Sequence, residues 1–318
     1  MSRPYPGSAA SVDRTRRGCV ALLPAGACAL ALGGWHARGA TAAAPATRPV
    51  PSTGEALPVV GLGSWITFNV GADPGALAAC TEVVRAFFDE GGRLIDSSPM
   101  YGSAQATIGH ALARLGMPSP LFSADKVWIG DASRGASQVE ASAKLWGVTH
   151  FDLMQVHNLW SWEEHLPRLF EMKAAGRIRH VGITTSEGRR HDELERVMRA
   201  QPIDFVQLSY NLLDREVERR ILPLAADRGI AVIANRPFRQ GALLRQLSRR
   251  RLPGWAAEID CEHWAQAALK FIVTHPAVTC AIPATSRVDH LRQNMAAARG
   301  RMPDAALRAR MAADVAAI

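Results

Sequence analysis

The chain has 318 residues, 48% hydrophobic and 21% charged. That is ordinary globular composition; it excludes disorder throughout, and with one uncharged stretch reaching about 18 residues it excludes a polytopic membrane protein. Half of the formal net charge of +8 sits in residues 1–44, where Arg3, Arg14, Arg16, Arg17 and Arg38 face only Asp13, so the remainder is mildly basic, suited to anionic small molecules rather than to nucleic acid.

Arg14-Thr15-Arg16-Arg17 precedes an uncharged run from Gly18 to Trp35, and small residues follow at Ala40-Thr41-Ala42-Ala43-Ala44. Basic, apolar and small-residue regions in that order read as a signal peptide. The Arg16-Arg17 pair resembles a twin-arginine signal, which predicts export to the periplasm; a cytoplasmic location is the alternative, and an uncleaved segment would tether the protein to a membrane. Residues 1–44 are therefore read as a signal, 45–56 as a Pro/Thr-rich linker, and 57–318 as one catalytic domain. Of five cysteines, Cys19 and Cys28 fall in the signal. Cys80, Cys261 and Cys280 are an odd, widely spaced set with no zinc spacing, so they are expected to be small buried hydrophobes.

From residue 57 onward short apolar runs alternate with amphipathic stretches. The runs are Val59–Trp65, Arg93–Ser97, Leu121–Val127, Phe151–His157, His180–Thr184, Phe205–Asn211, Ala231–Pro237 and Thr279–Ala284. Their near-continuous apolarity predicts parallel strands buried on both faces. Between them Ala76–Glu90, Gln105–Leu115, Ser137–Trp146, Glu163–Ala175, Asp192–Ala200, Glu216–Arg228 and Glu262–His275 predict helices, and a last helix follows Asp304. Eight β–α units in this order predict a closed (β/α)8 TIM barrel, an α/β fold of about 250 residues.

Barrel active sites lie at the C-terminal ends of the strands. Asp96, Lys126 and His157 close the second, third and fourth runs, Thr184 and Thr185 the fifth, and Asn211 the sixth. Ionisable groups at the ends of three consecutive strands converge on one mouth. Tyr101 follows five residues after Asp96. A phenol has an ordinary pKa of about 10, and a lysine ammonium beside it lowers that value. With Asp96 holding Lys126, and His157 placed to hydrogen-bond a carbonyl, Tyr101 is a general acid for carbonyl reduction. Each residue alone has a blander reading: Asp96 and Lys126 as a barrel-interior ion pair, His157 as a core histidine, Tyr101 as a loop aromatic. The cluster is what carries the functional one. His36, His110, His165 and His180 lack partners at metal-ligand spacing, so no metal is assigned.

At these residues the chain resembles the aldo/keto reductases, over roughly Leu57 to Asn294. The matching segments are Gly61-Leu62-Gly63 with Trp65, Ile95-Asp96-Ser97-Ser98-Pro99-Met100-Tyr101-Gly102, Ala124-Asp125-Lys126-Val127-Trp128, Phe151-Asp152-Leu153-Met154-Gln155-Val156-His157, Gly176-Arg177-Ile178-Arg179-His180-Val181-Gly182-Ile183 and Ile282-Pro283-Ala284-Thr285. The resemblance implies a catalytic tetrad of Asp96, Tyr101, Lys126 and His157, and an extended nicotinamide dinucleotide, NADP with NAD as the alternative. It places Thr184, Thr185 and Gln207 at the nicotinamide carboxamide, and Ala284, Thr285, Ser286, Arg287, His290, Gln293 and Asn294 along the adenosine end. Arg287 is the guanidinium for a 2′-phosphate. Trp65 and Trp160 are read as walls of the substrate pocket. Three positions depart from the family's usual residues: Thr184-Thr185 replaces Ser-Asn, Asn235 stands where an aromatic stacks on nicotinamide, and His290 replaces an arginine. The implied function is hydride transfer between the cofactor and an aldehyde or ketone. The alternative is a non-catalytic cofactor-binding redox sensor or accessory subunit, which retention of all four residues argues against. A hydrolytic barrel is weaker still, because no second acid stands at a neighbouring strand end.

Overall fold

The computed structural model describes residues 44–317. The export signal expected over residues 1–44 lies outside these residues except for Ala44, as do Cys19 and Cys28. Cys80, Cys261 and Cys280 are free and buried, as expected.

Two short strands, β1 (Thr47–Pro49) and β2 (Ala56–Pro58), open the described chain. Eight more follow: β3 (Leu62–Gly63), β4 (Leu94–Asp96), β5 (Phe122–Val127), β6 (Phe151–Val156), β7 (Ile178–Thr184), β8 (Phe205–Ser209), β9 (Ala231–Asn235) and β10 (Cys280–Ala281). These eight pair in sequence order, all parallel. Parallel bridges Val60–Ala281 and Gly63–Ala284 join the first strand to the last. All eight predicted strands are present, and the ring is the expected (β/α)8 barrel. The seam explains Gly61-Leu62-Gly63: a Cβ on Gly63 would stand 2.8 Å from the Ile282 carbonyl oxygen, too close for any side chain.

The helices wrap this ring: α1 (Pro74–Asp89), α2 (Ala104–Arg114), α3 (Gly135–Trp146), α4 (Trp162–Ala174), α5 (His191–Ala200), α6 (Ile221–Asp227), α7 (Ala242–Leu247), α8 (Trp255–Glu258), α9 (Trp264–Val273), α10 (Val288–Ala296) and α11 (Ala305–Ala316). Helix α1 shows the local logic. Asp73 caps it by accepting the Ala76 N–H at 2.6 Å, and Pro74 occupies its first turn, where the missing N–H costs nothing. Its buried stripe, Cys80, Val83, Val84 and Phe87, has helical spacing and faces the sheet. Gly147, with φ +73°, closes α3 in the left-handed conformation.

One expectation fails. Residues 45–56, read as a linker with the barrel starting at 57, form a hairpin: β1 pairs antiparallel with β2, Arg48 opposite Leu57. Val50 and Leu57 are fully buried against Leu94, Phe122, Leu153 and Phe205 inside the barrel. Leu94, Phe122 and Phe205 each begin their strands, so the hairpin plugs the N-terminal floor of the cylinder. The physical reason is that a ring of eight short strands leaves an apolar end that must be covered. Glu55 fastens the plug, 2.8 Å from Arg93 and 2.6 Å from Arg179. Burial of Glu55 opposes its ionisation, but the two guanidiniums prevail and hold its carboxyl below the usual range. Leu57→Ala is expected to cost about 2–5 kcal/mol through the cavity it leaves, read as a lower midpoint in urea unfolding. A loss under about 0.5 kcal/mol, the range of surface substitutions, would show that the floor does not need the hairpin.

Candidate active site

Side chains alternate along a strand, so residues two apart share a face. In β4 the inward series runs from Leu94 to Asp96, in β5 through Phe122 and Ala124 to Lys126, and in β6 through Leu153 and Gln155 to His157 just beyond it. Leu94, Phe122, Ala124 and Leu153 are apolar core inside the barrel, and Gln155 is a buried amide above them. The last members are Asp96, Lys126 and His157, all under 5% exposed.

Lys126 Nζ donates to Asp96 Oδ1 at 2.6 Å and to the Ser97 carbonyl at 2.7 Å. Asp96 Oδ2 accepts from Gln155 at 3.2 Å and from Gln207 at 2.9 Å. A buried ion pair survives only where its remaining lone pairs and protons are satisfied, and these glutamines supply that. Burial lowers the lysine pKa, but the Asp96 charge overrides it and holds the ammonium above its ordinary value. Asp125, one residue earlier, faces the opposite way. It accepts from Gln105 and from the Trp146 indole, and burial pushes its carboxyl up to about 7.

Tyr101 comes to this pair on a single 3-10 turn, Pro99–Tyr101. Ser98 caps the turn by accepting the Met100 N–H at 3.2 Å, and Pro99 begins it. The Lys126 ammonium lies 5.1 Å from the Tyr101 ring centroid. The His157 ring stands edge-on to Tyr101 at 5.7 Å and Trp65 lies at 6.4 Å. Four residues from three strand ends and one loop are thereby brought together, as the sequence predicts.

The expected acidification of the phenol is reversed. Lys126 pulls the Tyr101 pKa down, but burial outweighs it and the phenol stands above its ordinary value. A proton donor does not need an acidified phenol at rest; it needs its proton, and this one keeps it throughout the neutral range. His157 is held low, to about 3, by burial and by the neighbouring ammonium. The imidazole is therefore neutral, with one N–H. Ser98 Oγ lies 2.8 Å from its Nδ1.

These groups open into a cavity of about 620 Å³, ample for a small ligand and much of a cofactor. Asp96, Tyr101, His157 and Trp65 line one part of it. Thr184, Thr185, Gln207 and Asn235 line the next, and Ala284, Thr285, His290, Gln293 and Asn294 a third. Thr184 Oγ1 is already used, accepting the Asn158 N–H at 2.9 Å. Thr185 Oγ1 is buried with no partner, an unspent hydroxyl of the kind a ligand amide satisfies. Asn235, at the position noted as a departure from the family's usual aromatic, donates to the Thr185 carbonyl at 2.9 Å and accepts from Ser209 at 2.7 Å.

Three predicted binding residues lie elsewhere. Ser286 and Arg287 are outside the lining, and Arg287 is exposed, its guanidinium gripped by Asp289 at 3.0 and 2.5 Å. Trp160 is outside it too. It packs on Trp128 with ring centroids 5.3 Å apart, because the turn after β6 carries it toward the loop after β5. Sequence reasoning missed Gln155 and Ser98. Gln155 was legible from strand parity, two residues before His157; Ser98 had only its place before Pro99 as a signal. Among the described residues no cluster of His, Cys, Asp and Glu could hold a metal ion, and no helix is long and apolar enough to cross a membrane.

The sequence profile of the Aldo/keto reductase family matches residues 59–309. A methylglyoxal reductase of Escherichia coli K12, YeaE, is 28% identical over 249 residues, 76% of this chain and 85% of the relative. An NADH-specific methylglyoxal reductase of the same organism is 27% identical over 241 residues, 65% of this chain and 72% of the relative. An aldo/keto reductase of Klebsiella pneumoniae, crystallised with NADP and acetate, superposes with TM-score 0.69 at 23% identity, covering 81% of this chain and 91% of that one. The barrel, the residues at its mouth and the family profile across most of the described length lead to one conclusion: this chain belongs to the aldo/keto reductase family of oxidoreductases.

Proposed function

We propose that the protein reduces an aldehyde or ketone with NADPH or NADH. The observation that carries this reading is the meeting of Tyr101, Lys126, Asp96 and His157 at one end of a cavity whose other walls hold spare polar groups for a dinucleotide. Thr185, with its unspent buried hydroxyl, and Gln207 hold the nicotinamide amide; Thr285, His290, Gln293 and Asn294 run along the adenosine. The bound nicotinamide supplies a hydride. Tyr101 gives its proton to the substrate oxygen. Lys126 stabilises the phenolate left behind, and Asp96 keeps Lys126 charged and in place. His157 donates a hydrogen bond to the same substrate oxygen. Trp65 forms an apolar wall beside it. A 2′-phosphate would draw on Arg287, whose exposed pairing with Asp289 is weak, whereas the unphosphorylated form makes no such demand, so both forms of the cofactor are accommodated. We further propose that residues 1–44 direct export, on the strength of Arg16-Arg17 and the uncharged run behind them.

Fluorescence titration with NADPH and NADH, followed by carbonyl-dependent loss of reduced-nicotinamide absorbance, tests the proposal. The panel should span small aldehydes and ketones and include methylglyoxal, after the names of the two relatives. Binding with turnover is expected. Absence of dinucleotide binding overturns the proposal outright. Tight binding with no turnover on any carbonyl replaces it with the sensor reading.

A further inference from the structure

Ser98 has no part in the chemistry above, yet its side chain is wholly buried and its oxygen sits 2.8 Å from His157 Nδ1. The same oxygen accepts the Met100 N–H at 3.2 Å. A serine hydroxyl carries one hydrogen. The Met100 N–H occupies one of the oxygen's two acceptor positions, and among the described residues Nδ1 is the acceptor within reach of the hydroxyl hydrogen. Donation to Nδ1 therefore satisfies the buried hydroxyl in full, and it leaves the single proton of the neutral ring on Nε2.

We infer that Ser98 is a positioning residue, which by donating to Nδ1 fixes the His157 tautomer that presents Nε2–H to the substrate oxygen. The inference rests on the reductase reading for what Nε2–H does, though not for which tautomer exists. Two features make the device necessary. The ring is neutral, so it has only one hydrogen to give and the choice of nitrogen decides whether it can polarise a carbonyl at all. His157 also follows β6 on a turn in which Asn158 adopts φ +54°, so the regular strand does not by itself set the ring's orientation. Pro99 has no N–H, and it starts the turn that holds Ser98 and Tyr101 on one rigid segment. The residue that orients the hydrogen-bond donor is thus built into the same turn as the proton donor.

The test is nitrogen-15 NMR of the histidine side chains in the wild-type protein, with Ser98→Ala and His157→Gln as the comparison and assignment variants. Expected in the wild type is an unprotonated Nδ1 and a protonated Nε2 on His157, unchanged from pH 5 to 8. In Ser98→Ala the two ring nitrogens should move toward each other as the tautomers mix. Turnover should fall roughly tenfold or more, with cofactor affinity unchanged. Ser98→Thr, which keeps a hydroxyl, should restore the wild-type pattern. A wild-type ring protonated at Nδ1 overturns the inference without touching the reductase reading. So does an identical His157 spectrum in a folded Ser98→Ala. If the tautomer is as expected but no carbonyl is turned over, the positioning stands and the reductase reading fails.

Discussion

Tyr101→Phe is expected to lower turnover in carbonyl reduction by about 10²- to 10⁴-fold, the usual worth of a positioned general acid, while NADPH or NADH affinity stays within about twofold. The substitution removes one oxygen. The ring contacts with His157 and Trp65 survive in phenylalanine, and the walls assigned to the dinucleotide are untouched. The pH dependence sharpens the test. An acid catalyst is lost as pH rises through its pKa, and burial has raised that of Tyr101 above the ordinary phenol value, about 10. Tyr101 should therefore put no limb on reduction between about pH 6 and 9, and ionisation of the neighbouring Asp125 at about 7 only raises the phenol pKa further. His157 contributes no acid limb in that window, because its pKa of about 3 leaves it neutral. Steady-state rates and a fluorescence titration decide the matter. A Phe variant with more than about a tenth of wild-type turnover, or a rate that falls through pH 7–8, would remove Tyr101 from the role of acid.

Much of this site was legible because strands obey parity. Asp96, Lys126 and His157 each end an inward series that starts from apolar floor residues, and an ionisable group at that place has nowhere to go but the mouth. The eight strands were legible for a different reason: buried on both faces, they read as continuous apolar runs. What parity does not reach was misread. The hairpin at 47–58 has the composition of a linker, and only Val50 and Leu57 meet the floor, too few for a pattern. Trp160 sits on a connection whose course depends on long-range packing, and it turned toward Trp128, which sequence spacing does not specify. Arg287 turned toward Asp289, a partner only two residues away that the family pattern had left out of account. The phenol pKa was misjudged in sign because neighbouring charge is visible in a sequence and desolvation is not. The ammonium near Tyr101 was correctly foreseen, but the burial that outweighs it follows from the closed barrel.

Lys126→Met separates the two things the ion pair does. Turnover should fall by about 10²-fold or more, since the phenolate left when Tyr101 gives up its proton loses its neighbouring charge. Stability should fall as well, for a different reason. Removing one member of a buried pair leaves an uncompensated charge, at a cost of about 3–5 kcal/mol, which for a barrel of this size is a drop in Tm on the order of 10 °C. The Gln155 and Gln207 amides still donate to Asp96 Oδ2 and place the expected cost toward the lower end. Adding Asp96→Asn removes the stranded charge while keeping an acceptor for both glutamines. The double variant should regain most of the lost Tm and none of the lost turnover. Calorimetry and steady-state kinetics on the three proteins read the two effects independently. A single variant as stable as the wild type would show that the pair is not buried as described, and a double variant that recovers activity would show that the ammonium is not what the phenol needs. The separation is possible because stability requires only that no charge be left alone, whereas proton transfer requires that one particular positive charge be there.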